Sequence, residues 1–66
     1  MIRVNDRDDV EWRQSLTVAD LLEIMHYTYA HIFVHVNGEL IRADEYATYP
    51  IPDGADVRVI HLMAGG

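Results

Sequence analysis

Ile32-Phe33-Val34-His35-Val36-Asn37-Gly38-Glu39-Leu40-Ile41 is the stretch on which the fold turns. Apolar residues at 32, 34 and 36 alternate with the period of two that marks a strand buried on one face. Asn37-Gly38 readily supplies two positive φ angles for a tight hairpin turn. Glu39-Leu40-Ile41 then folds back as a short strand. In the longer strand Ile32, Val34 and Val36 are expected to face a core, which leaves Phe33 and His35 outside.

Towards the N-terminus the period changes. Val18, Leu21, Leu22 and Met25 follow the i, i+3, i+4, i+7 rule and predict a helix with one apolar stripe. Thr17 is placed to cap it, and Asp20 at the third helical position completes a capping-box-like Thr17-Val18-Ala19-Asp20. Leu16 and Leu21 stand where a hydrophobic staple would put them. The helix is expected to fray around Tyr27 to Tyr29. Met1-Ile2-Arg3-Val4 and Val10-Glu11-Trp12-Arg13 both alternate, so a β-hairpin is expected across the polar cluster Asn5-Asp6-Arg7-Asp8-Asp9. Those carboxylates have no neighbouring histidine or second acidic cluster to complete a Ca²⁺ or Mg²⁺ shell. They read as a solvated turn.

Towards the C-terminus, the stretch from Ala43 to Ala47 is long enough only for a helical turn. Tyr49-Pro50-Ile51-Pro52-Asp53-Gly54 reads as a rigid loop with Ile51 tucked inward. Val57-Arg58-Val59-Ile60-His61-Leu62 alternates as a last strand, Val57 and Val59 inward, Arg58, Ile60 and Leu62 outward. It runs directly into Met63-Ala64-Gly65-Gly66. Strands around a single helix predict an α+β fold, a mixed sheet of four to five strands wrapped over one helix. The last strand is expected to lie centrally beside the first, which is the β-grasp arrangement. One domain over residues 1–62 and a flexible Gly-Gly tail over residues 63–66 are expected.

Composition narrows the function. Sixty-six residues bury only roughly 60% of the surface of the unfolded chain, which leaves little for walling a deep substrate pocket. With no cysteine, a thiolate nucleophile, a disulfide staple and a thiolate metal site are all excluded. Eleven acidic residues against five basic ones give a net charge of −6. That balance disfavours nucleic acid, whose phosphates require Lys and Arg, and suits docking on a basic partner. All five basic residues are arginine, so the chain carries no side-chain amine. No apolar leader or membrane-length run is present, and a soluble cytoplasmic protein is expected, with no membrane or nucleic-acid partner.

The side chains most often recruited for chemistry are not arranged for it. Of the four histidines, His31 and His35 have i, i+4 spacing, but His35 sits in a strand pattern, where that spacing separates imidazoles. No metal site is expected. Ser15, the one serine, lacks a nucleophile-elbow pattern. No catalytic residue is assigned, and the chain is not expected to be an enzyme.

The strand–strand–helix–strand–strand order, the Val36-Asn37-Gly38-Glu39 turn and the closing Gly65-Gly66 together resemble the ThiS family of sulfur carriers in thiamine biosynthesis. MoaD and ubiquitin are similar more distantly. The resemblance covers essentially the whole chain. Thr17-Val18-Ala19-Asp20-Leu21-Leu22 fits the family's Thr-Val-x-x-Leu-Leu helix start. Asp53-Gly54-Ala55-Asp56-Val57 is similar to its Gly-Asp-x-Val turn, with one extra residue between Gly and Asp. Tyr46 takes the place of an aromatic that often follows the Asn-Gly strand. The segment from His26 to His31 falls outside these motifs.

The resemblance implies that the Gly66 carboxylate is adenylated and converted to a thiocarboxylate, while Met63, Ala64 and Gly65 enter a partner's active site. It implies no bound cofactor, ATP being used by the activating partner. Implied partners are a ThiF-like adenylating enzyme, a cysteine desulfurase or other sulfur donor, and a ThiG-like thiazole synthase as acceptor. Two glycines without Cβ atoms thread a narrow channel easily, and the last four residues, fully extended, reach on the order of 14 Å. Ubiquitin-like proteins dock through an exposed sheet face. Here Phe33, Ile60 and Leu62 would be its apolar anchors and His35 and Arg58 its polar ones. Alternatives are a carrier for molybdopterin or cysteine, a protein modifier, and a β-grasp interaction module without sulfur chemistry.

Overall fold

A computed structural model of the chain describes residues 1–27 and 31–61. Its elements are β1 (Ile2–Val4), β2 (Asp8–Val10), α1 (Val18–Ile24), β3 (Ile32–Val36), β4 (Glu39–Ile41), a 3-10 turn (Ala43–Glu45) and β5 (Asp56–His61). The five strands form one sheet in the order β2-β1-β5-β3-β4. β5 runs parallel to β1 and antiparallel to β3, while both hairpins are antiparallel. The central last strand beside the first is the β-grasp arrangement that the element order predicts.

The two hairpin turns have one chemistry. Asn37 and Gly38 sit at φ 51 and 84, and Val36 pairs with Glu39 across them, as a two-residue turn with positive φ at both centres requires. At the first hairpin Asn5 and Asp6 adopt φ 54 and 57, and Arg7 N–H donates to the Val4 carbonyl at 3.1 Å. This turn is tighter than the sequence pattern indicates. The second strand is therefore Asp8–Val10 rather than Val10 to Arg13, with Ile2 opposite Val10. Trp12 has left the sheet, and its Nε1–H donates to the Ile51 carbonyl at 2.7 Å. A half-buried indole needs such an acceptor, and the Pro-flanked loop supplies it.

Thr17 and Asp20 form the expected capping box: Thr17 Oγ1 accepts from Asp20 N–H at 3.2 Å, and Asp20 Oδ2 accepts from Thr17 N–H at 3.1 Å. The Thr17 backbone hydrogen bond, then the Thr17 side chain and the Arg13 guanidinium, hold the Asp20 carboxyl below its ordinary value of 3.8. A carboxyl lowered by folding adds stability above its unfolded pKa, and that stability is lost as pH falls through the folded value. Asp20→Asn is accordingly expected to flatten the acid side of the stability profile. Thr17→Ala is expected to cost about 1 kcal/mol in urea unfolding at neutral pH.

Helix α1 ends earlier than its apolar stripe implies. Met25 caps it and His26 turns to φ 60, a left-handed conformation that costs a non-glycine residue on the order of 1 kcal/mol. Two hydrogen bonds recover it: His26 N–H donates to Glu23 O at 3.1 Å and Tyr27 N–H to Leu22 O at 2.9 Å. This is the paired-bond Schellman termination. Tyr27 is thus outside the helix; Thr28 and Tyr29, also expected to fray, lie outside the described residues.

Val18, Leu21 and Leu22 from α1 meet Ile2, Val4, Ile32, Val34, Val36, Val57 and Val59 from the sheet, all buried. Ile51 is tucked inward as expected, and Leu16 before the helix cap is likewise buried. Tyr46 is buried too, and burial raises its phenol pKa. Its carbonyl accepts from Ala19 N–H at 2.8 Å and fastens the 3-10 turn to the start of α1. Apart from the Tyr46 phenol, no polar or charged side chain is buried among the described residues. Placing all these apolar side chains on one face commits the alternate residues of β3, β4 and β5 to the other.

Candidate functional site: the open sheet face

The residues left outward by that commitment make up the site. Phe33 lies directly opposite Ile60, and His35 lies opposite Arg58 on one side and Leu40 on the other. Directly opposed Cβ atoms in antiparallel strands stand about 5 Å apart, so the Phe33–Ile60 pair and the Leu40-His35-Arg58 row form one patch. Phe33, Ile60 and Leu40 are 46, 47 and 52% exposed, large apolar side chains gathered rather than scattered. His35 is half-buried between its neighbours, and Arg58 is exposed. Arg58 Nε stands 3.5 Å from Asp56 Oδ1, an exposed pair too solvated to hold the guanidinium away from a partner.

Phe33, His35, Arg58 and Ile60 therefore share the face to which strand parity assigns them. Leu40 belongs with them, although alternation in β3 and β5 alone does not point to it. Only the burial of Ile41 in the folded chain points to it: with Ile41 inward, its neighbour Leu40 must point the other way. Leu62 lies outside the described residues, as do Met63, Ala64, Gly65 and Gly66.

β5 has a second functional consequence. His61 is opposite Ile32, so it shares the parity of Val57 and Val59 and belongs to the helix-facing side. Its ring meets that of Tyr27 edge-on, with centroids 4.7 Å apart and planes at 80°. The strand thus presents Ile60 on the open face and the still exposed His61 on the helix side, immediately before residues 62–66. His31 precedes β3 and His35 lies within it, so their four-residue spacing is not helical. Among the described residues no three His, Asp or Glu side chains gather as a metal shell. Among the described residues, too, no helix is long and apolar enough to cross a membrane.

A shallow groove lies between Val10, Glu11, Trp12, Arg13 and Ile24. Val10 is opposite Ile2 at the start of β1, and β1 is parallel to β5. The groove is consequently at the far end of the sheet from His61 and from the residues that follow it.

Known proteins share this architecture. The crystal structure of the thiamine biosynthesis protein ThiS from Geobacter metallireducens is 28% identical, with a TM-score of 0.78 over 98% of this chain and 97% of that one. A solution structure of a thiamine biosynthesis protein from Geobacter metallireducens is 27% identical, with a TM-score of 0.77 over 98% of this chain and 86% of that one. The sequence model of the ThiS family matches residues 2–66, the open face and the closing glycines included, and the chain belongs to that family.

Proposed function

We propose that this chain is a sulfur carrier of thiamine biosynthesis, with Gly66 as the carrying terminus and the open sheet face as the docking surface. The observation that carries this reading is the family match, which runs through Gly65-Gly66 to residue 66. The similarity to the Geobacter ThiS structure over nearly its full length supports it.

The chemistry follows from what a carboxylate lacks. Its delocalised charge makes it a poor electrophile. Attack of a Gly66 carboxylate oxygen on the α-phosphorus of ATP expels pyrophosphate and yields an acyl adenylate. Hydrosulfide then forms a C–S bond at that carbonyl. The C–O bond to AMP breaks, a proton is released, and a thiocarboxylate remains. Sulfur from a cysteine desulfurase arrives instead as a persulfide, and the acyl disulfide it forms is reduced by a thiol to the same product. A ThiF-like enzyme holds the ATP, and a ThiG-like thiazole synthase accepts the sulfur. This chain contributes the tail and the surface that delivers it. Phe33, Leu40 and Ile60 supply apolar anchoring, His35 and Arg58 directional contacts. A chain without lysine or cysteine offers no side-chain amine or thiol to intercept its own activated carboxylate.

The test is the intact mass after incubation with ATP, the adenylating enzyme and a sulfide source. Replacement of one oxygen by sulfur, confined to the Gly66 carboxylate, is the expected result. An unchanged mass beside a partner proven active would sink the carrier reading and leave a β-grasp interaction module.

A further inference from the structure

The end of β5 is held unevenly. On one side β3 pairs with it up to His61. On the other side β1 pairs only as far as Val57, because Asn5 turns the chain away at φ 54. The Asn5 side chain replaces one more strand bond, Oδ1 accepting from Val59 N–H at 2.8 Å. Ile60 and His61 thus have strand pairing on the β3 side alone. The strand is least supported where residues 62–66 begin.

Tyr27 meets the strand at that place. Its backbone is fixed by the helix-terminating bond to Leu22, and its side chain packs against the core. Its ring stands edge-on to the His61 imidazole at 4.7 Å. The termination takes its left-handed residue at position 26 and favours an apolar residue at 27 that packs back on the helix. Any apolar side chain meets that need, so the termination does not itself demand an aromatic at position 27. The ring contact to His61 gives the aromatic a role.

Resting on the sulfur-carrier reading, we propose that Tyr27 is a positioning residue, whose ring holds His61 and so fixes the backbone direction at His61, from which residues 62–66 continue towards the activating enzyme. A chain that leaves in a set direction gives up less conformational freedom when the tail is seated, and this saving is realised on binding. The predicted signature is a change in KM with kcat retained, since a seated carboxylate reacts as in the wild type. A merely structural role does not give that split well below the unfolding temperature, where essentially every molecule is folded.

The experiment is steady-state ATP–pyrophosphate exchange by the adenylating enzyme, with the full chain as the varied substrate. Tyr27→Leu keeps apolar bulk and removes the ring. It is expected to raise KM roughly five- to tenfold at unchanged kcat, the scale of one aromatic pair. Tyr27→Phe is expected to keep the wild-type KM, because the ring contact needs no hydroxyl. His61→Ala is expected to match Tyr27→Leu, and the double variant to be no worse than either. Proton NMR gives an independent check: ring-current shifts on the His61 imidazole should be present in the wild type and lost in Tyr27→Leu. A wild-type KM for Tyr27→Leu, a Phe variant as impaired as Leu, additive single effects, or no ring-current shift in the wild type would each overturn the inference. Absence of any exchange with the wild-type chain, the enzyme being active on another carrier, overturns the carrier reading instead and this inference with it.

Discussion

Deleting Gly66 is expected to abolish sulfur loading outright, with no change in urea unfolding. The deletion leaves a carboxylate, now on Gly65, so chemical identity is preserved and only position is lost. One extended residue spans about 3.3–3.6 Å. Reaction requires the attacking oxygen within roughly 3–3.5 Å of its target, and an error of about 1 Å already costs on the order of a hundredfold. A retraction several times that error removes turnover rather than weakening it. Among the described residues β5 runs to His61 and the last buried side chain along it is Val59, seven positions before Gly66. Intact mass after the loading reaction reads the effect. Unfolding by circular dichroism confirms that the domain is untouched. A truncated chain that still gains one sulfur would remove Gly66 from the chemistry and with it the proposed function.

The second large effect concerns the open face. Ile60→Asp is expected to lower kcat/KM for activation roughly thirtyfold, the loss of a central apolar anchor worth about 2 kcal/mol. The mechanism is desolvation. In the proposed docking the whole Phe33–Ile60 pair would lose its water, and a carboxylate there would lose hydration without gaining a partner. Because Ile60 is 47% exposed, the folded monomer tolerates the charge. Val59, one residue away, is buried at 4%, and Val59→Asp is expected to prevent folding instead. The adjacent pair therefore separates docking from stability. Full activation by Ile60→Asp would place the interface elsewhere. Unfolding of Ile60→Asp with tolerance of Val59→Asp would reverse the parity of β5.

The candidate site is legible in the sequence wherever alternation is strict. In β3 and β5 one apolar set recurs every second position, at 32, 34 and 36 and at 57 and 59, with Phe33 and Ile60 standing on the opposite parity, and a one-residue slip would expose the recurring set. Alternation alone therefore assigns Phe33, His35, Arg58 and Ile60 outward. The signal fails where alternation meets a turn. Val10-Glu11-Trp12-Arg13 alternates, yet only Val10 belongs to a strand. Asn5 and Asp6 each take positive φ, so the first hairpin closes early, and Trp12 is drawn to the Ile51 carbonyl, 39 positions away. His61 shows the same limitation. In sequence it is one of four histidines inviting a metal; in space it meets Tyr27.

By itself the sequence determined the element order, the start of the helix, the Asn37-Gly38 turn, the inward faces of β3 and β5 and the family resemblance, because each depends on interactions within a few residues or on a repeating period. The tertiary structure alone decided how far each element runs, that Leu40 joins the outward row through His35, and that Tyr27 meets His61. Those outcomes depend on which distant groups become neighbours once the core closes: a half-buried indole must find an acceptor, and a helix must end where its last carbonyls can be satisfied.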